Sequence, residues 1–597
     1  MSAPIKTNQL TYTFDKELFS KNYDIFCIRT SEKHFKNGAY IIDAPLLSNN
    51  VCSVLFKSGR EIFVLMKSNG SNKSLLKNAI LKEDGADRIT ISQVTPNSLK
   101  DDIVFQLMLN SLGNYESPLL KFNNLTGHLY CFHPNWLIRG RKSEADVVFK
   151  VPCLELRLSS EFRLNMEVHT FTSELLRNIE FKKKKFDEYP KYIFSAHNTL
   201  RRKLKDDVGY SFIMRQTKNA KTEIAFLDIQ NIDRFNQSKM GILTTVLENF
   251  NDRFSSIAHL DFESITDYKA LDYTRSVANE NKQAISDLLS IKPIKIVDCI
   301  DDEYSKIFCK EICDLLLSKY GIKTSCGKRV AKDHLNIRVI HNAAFYADSD
   351  DPHRIFNDVA VQHITFEDFS ECSEFAISTV IHEMLIKADL VKQKISLFDW
   401  NTLGLKDDID FGIEVTDEQN TKYIFMTIHP DGTFNISEQT LNLFEANKYN
   451  QCVEIFENAK MNSVKVHGII RDALGNINII KDTEWFTVPE IYSIKAELAN
   501  GNTKLRGKEK RNELLSSCLD IKMFNDGVSE YYFVGTIGNG MRWLINRAVN
   551  IRKIEPFEDS ILMFEKLLPL MNVTFVHNGQ LTIIPFPFKY LREHLNK

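Results

Sequence analysis

The spacing of apolar and polar positions changes several times along the chain, and each change predicts a different kind of element. Residues 9 to about 110 carry short β-type runs such as 62–66, punctuated by Gly and Asn. From 146 to 172 the pattern sharpens into a hairpin: VVFKVPCLELRL, a polar turn at 159–161, then FRLNMEVHTFT with Leu164, Met166 and Val168 alternating. Such alternation predicts an antiparallel sheet with one wet face. AFLDI at 225–229 reads as a buried strand, and 240 to about 290 as mainly helical. At 292 the style changes. KPIKIVDC is a short buried strand, DDEYSKIFCKEICDLLLSKYG an amphipathic helix ending at Gly321, and LNIRVIH a second strand. That order predicts a βαβ unit of an open parallel sheet, whose sites lie beyond the carboxyl ends of its strands, here after His341. A helix over 375–392 follows, with Ile377, Val380, Ile381, Met384, Ala388 and Val391 on one stripe. FGIEVT, KYIFMTIHPDGTFNIS and SVKVHGIIRDALGNINIIKDT then predict successive strands, with turns at Pro430-Asp431-Gly432 and Leu474-Gly475-Asn476.

Length and composition bound this picture. With 597 residues, and roughly 150 per domain, the chain holds about four units. Its 43% hydrophobic content supplies cores throughout. The 76 basic and 78 acidic residues leave a net charge of -2, so any polyanion site must be a local basic groove. No apolar run reaches the roughly 18 residues of a membrane span, and MSAPIKTNQLTYTF lacks a signal-peptide pattern, so a soluble cytoplasmic protein without a membrane partner is expected. Eleven cysteines without a CxxC pair, including the cluster Cys299, Cys309, Cys313 and Cys326, predict buried free thiols in a reducing compartment, with metal or redox use as the alternative.

Local charge is concentrated in three places. Lys182, Lys183, Lys184 and Lys185 stand between Phe181 and Phe186, Arg201 and Arg202 open RRKLK, and Lys504, Arg506, Lys508, Lys510 and Arg511 crowd one stretch. Each is either a solvated face or a set of phosphate contacts, the first beside aromatics that stack on bases. Common enzyme motifs are absent. His382-Glu383 opens a zinc-protease pattern that fails at Ile386. Asp348, Asp350 and Asp351 open a calcium loop that fails at His353, and GSNKS at 70–74 lacks the spacing of a phosphate loop.

The ordered set of segments from about 292 onward resembles the MID and PIWI halves of prokaryotic Argonautes. VQHIT at 361–365 resembles the MID segment whose Gln contacts a guide 5′ phosphate. HEMLIKADLVKQKISLFDW resembles the following helix, whose Lys reaches the same phosphate. FGIEVT with YIFMTIHPDGTF resembles the opening PIWI strands, and YYFVGTIGNG and IIPFPFKYLRE resemble its last strand and closing helix. The resemblance implies an α/β, multidomain, bilobed fold with a β-rich N-terminal lobe, a Rossmann-like MID and an RNase H-like PIWI. Its parts are an N domain (1–110), a first linker with PAZ reduced or absent (111–222), a second linker (223–290), MID (291–402) and PIWI (403–597).

Carried onto these positions, the resemblance makes Gln362, Lys387, His353 and Arg354 the guide 5′-phosphate residues, and admits Mg2+ beside that phosphate as the one cofactor. Active PIWI domains cut with a metal-binding carboxylate tetrad. Here the first position is Glu414 in Gly412-Ile413-Glu414-Val415-Thr416, one methylene longer than Asp, and Asp472 lies in a hairpin instead of an H-R-D-G turn before a helix. No acidic residue or His follows Gly535-Thr536 at the last position. The tetrad reads as degraded. The resemblance is therefore to inactive members such as the DdmE-type plasmid-defence Argonaute. It implies short guide DNA or RNA, a complementary target and a helicase or nuclease effector as partners. Two alternatives stay open: an RNase H-type nuclease with a rearranged site of Glu414, Asp472 and Asp482, and a protein-binding scaffold, which the near-neutral charge favours.

Overall fold

A computed structural model describes residues 4–31, 51–58, 61–80, 88–114, 120–123, 127–142, 145–176, 189–194, 200–203, 207–214, 224–270, 285–290, 292–346, 356, 358–367, 374–396, 398–416, 421–439, 447–501, 522–533, 550–571 and 585–595. The chain divides into two compact units. The first comprises Met1–Thr266, Glu484–Leu519 and Gly540–Val549, and the second Asp267–Thr483, Asp520–Asn539 and Asn550–Lys597. No described helix is long and apolar enough to cross a membrane.

In the first unit β1 (Ile5–Phe14) runs antiparallel to β14 (Ala258–Ile265). Asn8, fully buried on β1, donates to the carbonyls of Leu164 (3.3 Å) and Glu484 (3.0 Å) and accepts from the Phe486 amide (2.9 Å), so one amide ties three segments together. The described strands β2 (Tyr23–Thr30), β3 (Val51–Ser58), β4 (Glu61–Lys67) and β5 (Ile89–Val94) form an antiparallel sheet in the order β3-β4-β2-β5. A larger sheet contains β6 (Leu120–Asn123), β7 (His128–Cys131), β8 (Ile138–Lys142), β9 (Ala145–Leu158), β10 (Leu164–Ser173), β11 (Tyr192–Phe194), β12 (Leu200–Arg202) and β13 (Phe212–Met214). Its order is β12-β11-β13-β10-β9-β7-β6, with β8 also on β9. The hairpin expected at 146–172 is β9 and β10, in register from Leu158↔Leu164 to Lys150↔Thr172. Helix α1 (Asp101–Ser111) is buried from Ile103 to Ser111, where its Asn110 amide bonds the carbonyls of Val54 (2.9 Å) and Gly127 (2.7 Å).

Two expectations are corrected in this unit. Residues 225–229 form no strand: Phe226 and Leu227 are buried as single anchors in the chain leading to the helix capped by Asn231. Among the described residues the stretch from 240 to about 290 is helical as α2 (Lys239–Arg253) and again over 285–290, with β14 between them. Buried Ala258, Leu260 and Phe262 there alternate with exposed His259 and Asp261, a period of two that a reading by helical stripe passes over.

The second unit opens with the predicted βαβ arrangement. Strands β16 (Ile294–Asp298), β17 (Thr324–Gly327), β18 (Leu335–Ile340) and β19 (Val361–Thr365) are parallel, in the order β17-β16-β18-β19. All six residues of β18 are buried, as a central parallel strand covered on both faces requires. Helix α3 (Glu303–Tyr320) starts on a reciprocal cap: Asp302 accepts from the Ser305 amide (2.6 Å), and the Ser305 hydroxyl accepts from the Asp302 amide (3.1 Å). It stops at Gly321, whose φ of 68° is the left-handed conformation glycine adopts without strain.

Helix α4 (Glu374–Lys392) buries two faces. Ile377, Val380, Ile381, Met384, Leu385 and Ala388 join the core of the parallel sheet. Ile386 and Leu390 join a second core with Trp400, Phe411 and Tyr590. That second core belongs to an antiparallel sheet, β22-β21-β20-β23-β24 continuing to β27, β26, β25 and β15. Its members are β15 (Lys269–Ala270), β20 (Ile409–Thr416), β21 (Thr421–Ile428), β22 (Phe434–Gln439), β23 (Val466–Asp472), β24 (Ile477–Val488), β25 (Lys522–Asn525), β26 (Glu530–Phe533) and β27 (Asn550–Pro556). Helix α5 (Asn450–Met461) lies between β22 and β23 in the chain, and α6 (Pro587–Leu595) closes the unit against α4. The predicted turn at Pro430-Asp431-Gly432 is present, with Gly432 at φ 79° and a Cβ there 2.3 Å from the Trp400 ring.

Asp389, fully buried on α4, accepts from the Ser396 amide (2.8 Å) and the Tyr590 hydroxyl (2.8 Å), fastening α6 to α4. Burial raises its carboxyl above the usual range, and these hydrogen bonds pull it part of the way back. Tyr590→Phe removes one bond to a buried charged group and should lower the stability of this unit by about 1.5–3 kcal/mol. Urea unfolding read by tryptophan fluorescence checks it, and an unchanged midpoint would contradict the fastening role.

Candidate nucleic-acid interface

Gln362 is the second residue of β19, and its Nε2 donates to Glu383 Oε2 of α4 at 2.7 Å. The reverse amide orientation would set oxygen against carboxylate, so this assignment is the favourable one. Its Oε1 is left buried with no hydrogen-bond partner among the described residues. Lys387 stands one turn beyond Glu383 on the same face of α4. Burial lowers the Lys387 ammonium from its ordinary value, and the carboxylates of Glu593 and Glu383 partly restore it. Glu593 lies on α6 one turn after Lys589, whose ammonium burial also lowers, against the same two carboxylates. The Glu593 carboxyl is raised by burial and by Glu383, while Lys387 and Lys589 oppose the rise. Among the described residues neither ammonium has an ion pair at 4.0 Å or closer.

The structure therefore brings Gln362 and Lys387 to one cluster, linked through Glu383. Two partners escaped the sequence reading, Lys589 and Glu593, because they arrive some two hundred positions later on α6. His353, Arg354, Lys182 to Lys185, and Lys504, Arg506, Lys508, Lys510 and Arg511 lie outside the described residues. Arg201 and Arg202 belong to β12, which pairs with β11.

A second feature sits where the parallel-sheet rule placed it, just beyond β18. The exposed Phe345 ring stacks on His341 with centroids 3.7 Å apart. The Nδ1 of His341 is held by Glu367, whose other oxygen accepts from the Asn342 amide at 2.8 Å. The Tyr346 hydroxyl accepts from the His341 amide at 3.1 Å. This is an aromatic platform on a hydrogen-bonded base.

Strand register sets apart two of the carboxylates named for the alternative site. Asp472 pairs opposite Ile409, five positions from Glu414 along β20, or roughly 16 Å at 3.3 Å per residue. An odd separation also puts the two on opposite faces of the sheet. Each carboxylate has a local task instead. Glu414 lies 3.7 Å from Lys460 and accepts from Thr416. Asp472 accepts from the backbone (2.8 Å) and side chain (2.9 Å) of Asn476, closing the β23–β24 turn. Asp482 accepts from Arg552 Nε (3.0 Å) and pairs with His467 Nε2 (2.6 Å). Burial raises the Asp482 carboxyl, but these two partners bring it down to about 2. Asp410, unremarked in the sequence, is the most buried acid on β20, held by Lys448 (2.9 Å), Arg471 (3.2 Å) and Tyr449 (3.1 Å). With two cations on it, Asp410 is a poor cation ligand, and among the described residues Glu414 and Asp472 do not converge on a shared metal.

No known protein family's sequence profile matches the chain, and no curated protein matches it. Among solved structures, the Argonaute of Marinitoga piezophila in complex with 5′ OH guide RNA and target DNA aligns over 98% of this chain and 97% of its own, at 10% identity and a TM-score of 0.43. The same protein in complex with 5′ OH guide RNA aligns over 98% and 97%, at 11% identity and a TM-score of 0.39. At these values the likeness assigns no role to any residue here.

A desolvated, unpaired lysine works against folding, so Lys387→Met, which keeps the apolar stem, should leave the unfolding midpoint equal or higher at neutral pH. The sign follows from the lowered ammonium. The wild-type deficit is present below the folded-state value and is relieved as pH rises through it toward the unfolded value of about 10.4, so the variant's margin shrinks in alkali. Thermal unfolding between pH 7 and 10 checks both statements, and a clear loss of stability at pH 7 would make Lys387 a structural cation.

Proposed function

We propose that this chain binds a short nucleic-acid strand by its 5′ phosphate at the Gln362, Glu383, Lys387, Lys589 and Glu593 cluster, as a guide-dependent Argonaute-like protein. The observation that carries the reading is the pair of half-buried lysines, Lys387 and Lys589, held without an ion pair at 4.0 Å among the described residues. Half-desolvated ammonium groups are costly unless an anion completes them, and a terminal phosphate offers the charge and the oxygens to do so. The resemblance of VQHIT and HEMLIKADL to guide-binding segments supports the choice of anion, and the Phe345 platform supports a base stacked nearby.

Glu383 and Glu593 oppose a phosphate. With the orphaned Gln362 Oε1 they are the oxygen atoms that would hold Mg2+, which when bound would neutralise charge between carboxylate and phosphate. On this reading 291–402 acts as MID and 403–597 as an RNase H-like PIWI, while the basic stretches at 182–185, 201–202 and 504–511 track the strand backbone. The protein does not cut. It hands its target to a helicase or nuclease partner in defence against plasmids or phage. The dispersal of Glu414, Asp472 and Asp482 over different faces and partners favours this over the nuclease alternative.

A 5′-phosphorylated strand should bind roughly tenfold or more tightly than its 5′-hydroxyl twin, the equivalent of about 1.5–3 kcal/mol for a charged contact. Lys387→Ala should erase that difference. Fluorescence anisotropy with and without magnesium measures it, and equal affinity or a preference for the hydroxyl end would overturn the phosphate reading.

Guide-loaded protein incubated with complementary DNA or RNA in magnesium or manganese should leave the target intact. Site-specific cleavage abolished by Glu414→Gln would instead establish the nuclease.

A further inference from the structure

A second cluster lies on the larger sheet of the first unit. Strand pairing sets Glu155 of β9 directly opposite Glu167 of β10 and, on its other side, opposite Tyr130 of β7. Two carboxylates in direct cross-strand register repel. The repulsion is sharpened because Glu155 is 6% exposed, beside a core of Tyr130, Phe132, Cys153 and Phe171. Two histidines approach it diagonally. His128 Nδ1 lies 2.8 Å from Glu155 Oε1, and His169 Nε2 lies 2.7 Å from Glu155 Oε2 and 3.6 Å from Glu167 Oε2.

The ligand atoms of Glu155, Glu167 and His169 all fall within 4.8 Å of one another, and among the described residues this is the group of His, Cys, Asp and Glu that converges so closely. His169 is 8% exposed, and its Nε2 is buried without a hydrogen bond despite the near carboxylate oxygen. The ring nitrogen thus lies against the carboxylates of both Glu155 and Glu167. Tetrahedral ligands at about 2.0–2.2 Å from one ion are themselves about 3.3–3.6 Å apart, so small shifts would seat one.

We propose that Glu155, Glu167 and His169 bind one borderline first-row divalent cation of the Zn2+ class, with His128 as a positioning residue that orients the Glu155 carboxylate. One imidazole with two carboxylates is a donor set for such ions, and a histidine holding the far oxygen of a ligating carboxylate is the usual outer-shell support. The ion would cancel the Glu155–Glu167 repulsion and tie β9 to β10. The competing account is a protonated His169 that neutralises Glu155. Burial lowers the His169 imidazolium, but Glu155 and Glu167 outweigh it and raise it overall, with the exposed Arg157 opposing them. The two accounts differ in proton traffic, because a metal takes neutral imidazole and must expel that proton.

The test uses the full chain, stripped with chelator and titrated with ZnCl2 against a chromogenic competitor. Wild type should bind one equivalent more than His169→Gln, release protons on binding, and show a higher unfolding temperature with zinc. Glu167→Gln alters an exposed carboxylate that leaves the core untouched, so it folds if His169→Gln does not, and it should weaken that equivalent at least about tenfold. Identical stoichiometry and affinity in wild type and Glu167→Gln, with no proton release, would overturn the site and leave the protonated pair.

Discussion

The fastening of α6 to α4 through Asp389 is the constraint on which the candidate site depends. Asp389 has no exposed surface, yet it is satisfied by Ser396 on one side and Tyr590 on the other. That bond holds Tyr590 of α6 against α4. Lys589 and Glu593 flank Tyr590 on α6, and Glu383 and Lys387 precede Asp389 on α4. The link adds to the apolar packing of Ile386 and Leu390 of α4 in one core with Phe588 and Leu591 of α6. With it, two ammonium groups and two carboxylates share one partly desolvated space.

Such a space is unfavourable in itself. Burial lowers both lysines and raises Glu593, which is the signature of charges taken from water without full compensation. The apolar faces of α4, buried against two cores, supply the stability that tolerates it. Strain of this kind gathers where a ligand completes the charge balance. Asp410 makes the contrast plain. It too is buried, but Lys448, Arg471, Tyr449 and Thr427 answer it fully, so nothing is left for a ligand to supply.

Much of the local structure was legible in the sequence. The 3.6-residue stripe of 375–392, the capped helix ending at Gly321 and the turn at Gly432 depend on near neighbours, and each is where the pattern put it. Gln362 and Lys387 could be proposed because they lie 25 positions apart and their segments resemble known ones. Lys589 and Glu593 could not, because their meeting with α4 is decided by tertiary packing through Tyr590. Register was equally hidden: nothing in IIRD says that Asp472 will pair with Ile409 and face away from Glu414. The strand at 258–265 was missed for a different reason, since a window tuned to helical stripes averages out five residues of strict alternation.

The central claim is that Lys387 and Lys589 hold the phosphorylated end of a short strand. It is tested most directly by isolating the protein from cells that express it and end-labelling whatever nucleic acid comes with it, with and without prior phosphatase treatment. Wild type should carry short strands that accept a new 5′ label only after phosphatase, and the double variant Lys387→Ala, Lys589→Ala should arrive empty. Nucleic acid retained equally by both proteins, or strands whose 5′ ends label without phosphatase, would contradict the account.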